Sequence, residues 1–134
     1  MTAPTVLPHI VALQAAIEAA PLPVYLGGAP AAAPLPASYV VLYPAGGAVS
    51  PASLADDRTT LDALVQITCV SSLPDGALGT ADRVRAALAG PLTVAGRATW
   101  RPEELGGPPL ARDDDVTPPV YYVPVQYRLR SIPA

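Results

Sequence analysis

Residues 60–71 read TLDALVQITCVS, and this stretch decides the fold. The apolar residues recur at every second position, which is the period of a β-strand. One face of the strand is apolar and holds Ala63, Val65, Ile67 and Cys69. The opposite face is more polar and holds Asp62, Leu64, Gln66 and Thr68. The alternation predicts a sheet with one buried face and one more polar face.

Further strands are predicted on both sides of this stretch. β-branched and aromatic residues indicate strands at residues 24–26, 38–43 and 120–130, and a glycine-containing turn indicates a hairpin over residues 92–100. Residues 48–59 and 101–119 are predicted as loops. The apolar face of the last strand holds Val123, Val125, Tyr127 and Leu129. Pro124 cannot donate to a strand ladder, so this strand is predicted to lie at a sheet edge or to be bulged there.

Two segments show the spacing of an amphipathic helix. Residues 7–20 follow an apolar stripe, which consists of Val6, Ile10, Leu13 and Ile17. The segment that follows Asp75 has a second stripe, which consists of Ala77, Ala81, Val84 and Leu88. Each helix has one stripe to bury, so both should pack on the apolar sheet face. The prediction is a single α+β domain over residues 1–134, with an antiparallel or mixed sheet and the order α-β-β-β-α-β-β-β.

Composition excludes several classes of function. The net charge of −3 disfavours general nucleic-acid binding, since that affinity comes largely from neutralised phosphates. One cysteine, Cys69, excludes an internal disulfide framework, and it is predicted to be a buried small hydrophobe. There is no signal-peptide pattern and no apolar run of membrane-spanning length. We therefore expect synthesis in a cytoplasm and no membrane partner.

The sequence offers no catalytic constellation. His9 is the sole histidine, and no Ser or Cys in a recognisable motif accompanies it, so a surface or packing role is predicted. The acidic run Asp113-Asp114-Asp115 could in principle hold a hard cation, but adjacent residues of an extended chain do not point at one centre. It is predicted as a solvated or interface loop. We expect no enzymatic activity, no cofactor and no metal.

Arginine and aromatic residues are the remaining candidates for binding. Arg128 and Arg130 share the polar face of the last strand, where they could form a solvated face, an intersubunit salt bridge or a phosphate contact. Trp100, Tyr121 and Tyr122 fit core or interface anchors better than platforms for stacked bases.

Four segments resemble the tail terminator (tail completion) proteins of actinobacterial long-tailed bacteriophages: DRVRAAL at residues 82–88, LTVAGR at 92–97, RDDDV at 112–116 and YRLRS at 127–131. The resemblance extends over nearly the whole chain. It implies a homohexameric ring that caps the tail tube, ends its polymerisation and joins it to the head-side connector protein. The ring would be assembled in the host cytoplasm and become part of the virion, and the DNA would pass its lumen without specific binding.

Three alternatives stay open: a head-side neck protein (stopper or adaptor), a small ligand-binding module, and a small hydrolase or nuclease subunit. For the ring, the predicted interface lies in residues 101–119 and their flanks. Its members are Trp100, Arg101, Leu105, Arg112, Asp113, Asp114, Asp115, Arg128 and Arg130. A basic lumen would retard DNA, so lumen-facing positions should be neutral or acidic. Asp56-Asp57 and Asp113-Asp114-Asp115 are the candidates.

Overall fold

A computed structural model of the chain describes residues 3–30, 34–51 and 58–134. Within these ranges the chain forms two helices, α1 (Leu7–Glu18) and α2 (Pro74–Ala87). It also forms eight strands: β1 (Val24–Leu26), β2 (Ser38–Pro44), β3 (Ala48–Ser50), β4 (Thr60–Ser71), β5 (Arg97–Thr99), β6 (Glu103–Gly106), β7 (Ala111–Asp113) and β8 (Val120–Pro133). The predicted α+β class is confirmed.

The sheet is built around the two long strands β4 and β8. They pair antiparallel from Leu61 opposite Ser131 to Ser71 opposite Tyr121. On the other side of β4, two strands pair with it directly: β2 along residues 65–71 and β3 along residues 60–62. β1 pairs with β2 in parallel. On the far side of β8 lie β5, β6 and β7 in succession, all antiparallel to it. The sheet is therefore mixed. Its edges are β1 and β3 on one side and the β5–β7 row on the other.

Both helices pack on the same face of the sheet, as predicted. The stripe residues Ile10, Leu13 and Ile17 of α1 are buried in one core with Ala77, Ala81 and Val84 of α2. The sheet contributes the predicted apolar faces of β4 and β8 together with β2, through Val40, Leu42, Val65, Ile67, Cys69, Val123, Val125, Tyr127 and Leu129. The alternation in β4 and β8 therefore predicted the buried face of each strand correctly.

The opposite sheet face, here called the open face, carries no helix of the described chain. A smaller apolar cluster of Tyr39, Val41 and Val70 lies there, flanked by Tyr25 and Tyr122. The rings of Tyr25 and Tyr39 meet edge to face at 5.7 Å between centroids. The open face is thus apolar at the end near β1 and polar at the other end, where Asp62 and Arg128 pair.

Four strands precede α2 and four follow it, where three were predicted on each side. β3 lies within residues 48–59, and β6 and β7 lie within residues 101–119, so the two loop predictions are wrong over these parts. Residues 92–94 form no strand, and β5 pairs with β8 instead of closing a hairpin. These strands have three or four residues, too few to show a period of two.

Strand β8 lies between β4 and the strands β5 to β7, so it is not an edge strand as a whole, but at Pro124 itself none of the described strands pairs with it on its outer side. Its partner on β4 is Thr68, in an unbroken register. On the other side, its carbonyl oxygen faces Gly107, in the gap between β6 and β7. The N–H and C=O of one residue in an antiparallel strand point the same way. The missing donor of Pro124 therefore faces an interruption, where no ladder bond is lost.

Candidate interaction surface

The row formed by β5, β6 and β7, here called the outer edge, brings most of the predicted interface residues to one side of the sheet. Arg128 and Arg130 lie beside it on β8. The predicted interface residues fall into two separate groups along the outer edge, because β5 pairs with residues 131–133 and β7 with residues 120–122. Trp100, beside Arg130, and Arg112, opposite Tyr121, are nine residues of β8 apart, which at about 3.3 Å per residue is roughly 30 Å, and Leu105 lies between them. One compact site containing all the predicted residues is therefore excluded.

The first group surrounds a cleft of about 660 Å³ where the outer edge breaks between β5 and β6. Trp100 and Arg101 form one side of the cleft, and Arg85 of α2 and Leu88, the residue directly after α2, contribute to the other. Trp100 is 46% exposed, a large exposed fraction for tryptophan. The guanidinium of Arg130 lies 5.2 Å from the centroid of its ring, in a cation–π contact that holds the indole against the sheet.

Arg128 and Arg130 have carboxylate partners within the chain. Arg128 Nε lies 3.3 Å from Asp62 Oδ1, and Arg128 Nη1 lies 3.9 Å from Glu103 Oε2. Arg130 Nη2 lies 3.9 Å from the same Glu103 oxygen. The result is an alternating line of charges across β4, β8 and β6 on the open face. A phosphate bound here would compete with two carboxylates, which disfavours the phosphate reading of this pair.

A bidentate ion pair fixes the wall of the cleft on the helix side. Arg85 Nε and Nη2 donate to Glu104 Oε2 and Oε1, both at 2.8 Å, and Arg85 Nη1 donates to Asp82 at 2.9 Å. The hydrogen bonds from Arg85 hold the pKa of the Glu104 carboxyl below its ordinary value. The pair joins α2 to β6 and orients Glu104. No local sequence pattern indicates this ion pair, since 19 residues separate Arg85 and Glu104.

The second group, at β7, is engaged in local contacts. Arg112 Nε lies 2.6 Å from Asp114 Oδ1, and this hydrogen bond raises the pKa of the Arg112 guanidinium. Asp113 Oδ1 accepts a hydrogen bond from the backbone N–H of Asp115 at 3.0 Å, which forms a tight turn. No set of three acidic, His or Cys side chains is placed to hold a metal ion in the described ranges. Asp56-Asp57, the other acidic candidate for the lumen, lies outside the described residues.

An apolar groove of about 440 Å³ runs along the open face next to β7. Tyr39, Tyr43 and Tyr122 line it, and Asp113 closes one side. Burial, and then the nearby Tyr25, Tyr43 and Asp113, raise the pKa of the Tyr39 hydroxyl. These tyrosines lie in predicted strands, but no local pattern places them in one groove, because they come from β2 and β8.

His9 is buried in a hydrogen-bond network at one end of the sheet. Its Nδ1 lies 2.8 Å from the Thr5 carbonyl oxygen and its Nε2 lies 2.7 Å from Ser131 Oγ. A carbonyl only accepts, so Nδ1 carries the proton, and Ser131 therefore donates to Nε2. Arg97 Nε in turn donates to Ser131 Oγ at 3.0 Å. Burial, and then the charge of Arg97, lower the pKa of the imidazole, opposed by the bond to Thr5.

This Ser–His contact joins distant parts of the chain and lies within the packed interior. Ser131 is fully buried, and His9 is 2% exposed. Of the surface or packing role predicted for His9, burial shows the packing role and excludes the surface role. No local pattern indicates its serine partner, since 122 residues separate the two. The network ties the start of α1 to the end of β8, and Arg97 extends it to the Thr59 carbonyl at 2.7 Å.

Comparisons with known proteins give a fold relationship. Neither a scan of protein-family models nor a search of curated proteins finds a match. A solved structure, of a protein whose name carries no functional description, aligns over 92% of this chain and 93% of its own. The TM-score is 0.51 at 18% sequence identity, which shows a shared fold and no more. In the part of the chain that the structure describes, neither helix has the length and apolar character needed to cross a membrane.

Proposed function

We propose that this chain forms a homohexameric ring that caps the tail tube of a long-tailed bacteriophage, ends tube polymerisation and joins the tail to the head-side connector. The resemblance of residues 82–88, 92–97, 112–116 and 127–131 to tail terminator proteins gives this proposal its identity. In this role the chain needs no catalytic group, cofactor or metal, and it belongs to the assembled virion.

The observation that carries the proposal is the difference between the two sheet edges. A ring repeats one heterologous contact, so each subunit must present two unlike surfaces. The β1 and β3 side exposes aliphatic residues, with Leu26 51% and Val49 40% exposed. The outer edge instead exposes Trp100 and Leu105, both 46%, beside a cleft that contains charges of both signs. Both edges are interrupted, which suits side-chain contacts better than a continuous added strand.

The outer edge has the composition of a protein interface. Trp100 offers a large anchor that the stacked Arg130 already orders, so less side-chain entropy is lost on docking. Arg101 and Glu103 lie beside it in the cleft and would set the register between subunits. Leu105, at the irregular position of β6, extends the apolar part of the surface.

The test is assembly on a tail tube. The purified chain is mixed with tube protein from the same phage, and ring formation and tube length are measured by light scattering and electron microscopy. We expect rings at tube ends and shorter tubes. The double variant Trp100→Ala, Leu105→Ala should assemble into rings at least tenfold more weakly, and therefore cap tubes less, because buried interface anchors contribute about 1–4 kcal/mol each.

The matched control is Leu78→Ala, which removes a leucine of similar exposure, 49%, from the outer surface of α2. This variant should cap tubes like the wild type. A wild-type chain that stays monomeric with and without tubes would contradict the proposal. Rings that ignore tubes and bind the head-side connector would favour the neck stopper or adaptor instead.

A further inference from the structure

A second cleft, of about 350 Å³, opens where α1, β4 and β5 begin. Thr5 and His9 line it from the helix side, and Thr59, Gly96 and Arg97 line it from the sheet side. It lies at the far end of the outer edge from the Asp triplet, and neither the predicted interface nor the proposed ring function accounts for it.

Arg97 is held in this cleft by neutral acceptors. Its Nε donates to Ser131 Oγ at 3.0 Å, and its Nη2 donates to the carbonyl oxygens of Thr59 and Ser131 at 2.7 and 2.9 Å. Arg128 and Arg130, which are also partly buried, have carboxylate partners. Across residues 3–30, 34–51 and 58–134, no carboxylate pairs with Arg97. A partly buried guanidinium without a counterion is costly unless an anion compensates it.

The three hydrogen bonds use Nε and Nη2 and fix the orientation of the guanidinium, and Nη1 makes no hydrogen bond to any residue that the structure describes. Arg97 lines the cleft, which makes Nη1 the group available to a ligand. His9 does not compete as a donor, because its one proton is held by Thr5 and its Nε2 accepts from Ser131. The rest of the wall is mainly aliphatic, with Pro8, Val94 and Pro133 among its residues. The site thus combines one oriented positive charge with apolar walls.

We propose that this cleft binds an aliphatic monocarboxylate, with Arg97 Nη1 donating to the carboxylate and the apolar walls holding its stem. One positive charge matches one carboxylate, whereas a phosphate dianion would leave charge and acceptors unmatched in apolar surroundings. The carboxylate can belong to an acidic side chain of a partner segment or to a free carboxylic acid. The proposal is independent of the ring function.

The test uses His9 as a reporter, because it is the sole histidine and its ring signals in a proton NMR spectrum need no assignment. The chain is titrated at about pH 7.5 and constant ionic strength with acetate, butyrate, phosphate or chloride. We expect saturable shifts of the His9 signals with the carboxylates, tighter for butyrate by up to about fourfold per added methylene. Phosphate and chloride should bind at least tenfold more weakly.

Two matched variants separate binding from folding. Ala95→Asp places a carboxylate at the rim of the cleft without removing any bond of Arg97, and should weaken butyrate binding at least tenfold. Ala98→Asp makes the same change on β5, away from the cleft, and should bind butyrate like the wild type. Arg97→Gln should abolish binding, with folding checked by the spectrum.

A capped Ala-Glu-Ala peptide distinguishes the two sources of the carboxylate. Competition with butyrate by this peptide would identify an acidic side chain as the ligand. Binding of butyrate alone would identify a free carboxylic acid, and either result supports the cleft as a carboxylate site. Equal His9 shifts with chloride and butyrate, or butyrate binding that survives both Ala95→Asp and Arg97→Gln, would overturn the proposal.

Discussion

Gly107 packs directly against the carbonyl oxygen of Pro124, with no space for a side chain between the two backbones. This contact closes the gap between β6 and β7, at the point where β8 contains a residue that cannot donate a ladder bond. The outer edge therefore follows β8 closely although its pairing is interrupted. The glycine is required here by close approach of the backbone.

The Gly107 contact predicts opposite effects for two glycine-to-alanine changes. Gly107→Ala should lower the free energy of unfolding by about 1–3 kcal/mol, because the methyl group would displace the backbone of β8. Gly79→Ala, in α2 with no atom near the new methyl group, should raise it by up to about 1 kcal/mol. Urea denaturation measures both. An unchanged free energy of unfolding in Gly107→Ala would contradict this prediction and show that the outer edge can shift to make room for the methyl group.

The His9 network predicts a loss of stability in mild acid. The pKa of His9 is lowered in the folded chain, while in the unfolded chain it keeps its ordinary value of 6.5. The stability that neutral His9 contributes is therefore complete above pH 6.5, and it is lost as the pH falls from there through the folded pKa. The loss can reach about 1.4 kcal/mol per pH unit for one proton. Urea denaturation between pH 7.5 and 5.5 measures it.

The control for this pH effect is His9→Gln, which keeps a neutral hydrogen-bonding side chain. Its stability should be lower at pH 7.5 and nearly flat down to pH 5.5. Glu104, whose pKa is lowered from 4.5, releases its own contribution only at lower pH, so it does not interfere in this range. An equal slope in wild type and His9→Gln would show that His9 is not the titrating group.

Cys69 should be unreactive in the folded protein. It is fully buried on the core face of β4, and burial raises the pKa of its thiol to about 12. Thiol reagents need the thiolate and access to it, so labelling should occur at the rate of unfolding. Mass spectrometry after labelling in buffer and in urea tests this. Rapid labelling in buffer would place Cys69 outside the core.

The Asp triplet should serve assembly. Charge reversal of Asp113, Asp114 and Asp115 together is expected to leave a folded monomer but prevent ring formation, so that overlong tails accumulate. The side chains of Asp113 and Asp114 also contact the Asp115 N–H and Arg112, so reversing their charge disturbs the local structure. Asp115→Arg alone avoids this and tests assembly more directly. Glu18→Arg, an equal charge change on exposed α1, is the control. Normal tail lengths from the triple variant would contradict an assembly role.

The long elements of this protein could be predicted from local patterns. The alternation in residues 60–71 and 120–130 identified two long strands and their buried faces, although not the central place of the second. The helical spacing of Ile10, Leu13 and Ile17 identified the inner side of α1. In these cases, the residues that determine the element are neighbours along the chain. Their apolar side is the one that folding must remove from water.

The sites depended on contacts between residues far apart in sequence. β5, β6 and β7 are strands because they pair with the backbone of β8. A pattern of three or four residues cannot predict such pairing. The Arg85–Glu104 pair and the His9–Ser131–Arg97 network likewise join segments that only the tertiary structure brings together. The sequence by itself thus determined the layers and their inner faces, since burial acts on local periodicity. Only the tertiary structure decided the outer edge and both clefts, because hydrogen bonds and ion pairs there depend on chain segments that meet after folding.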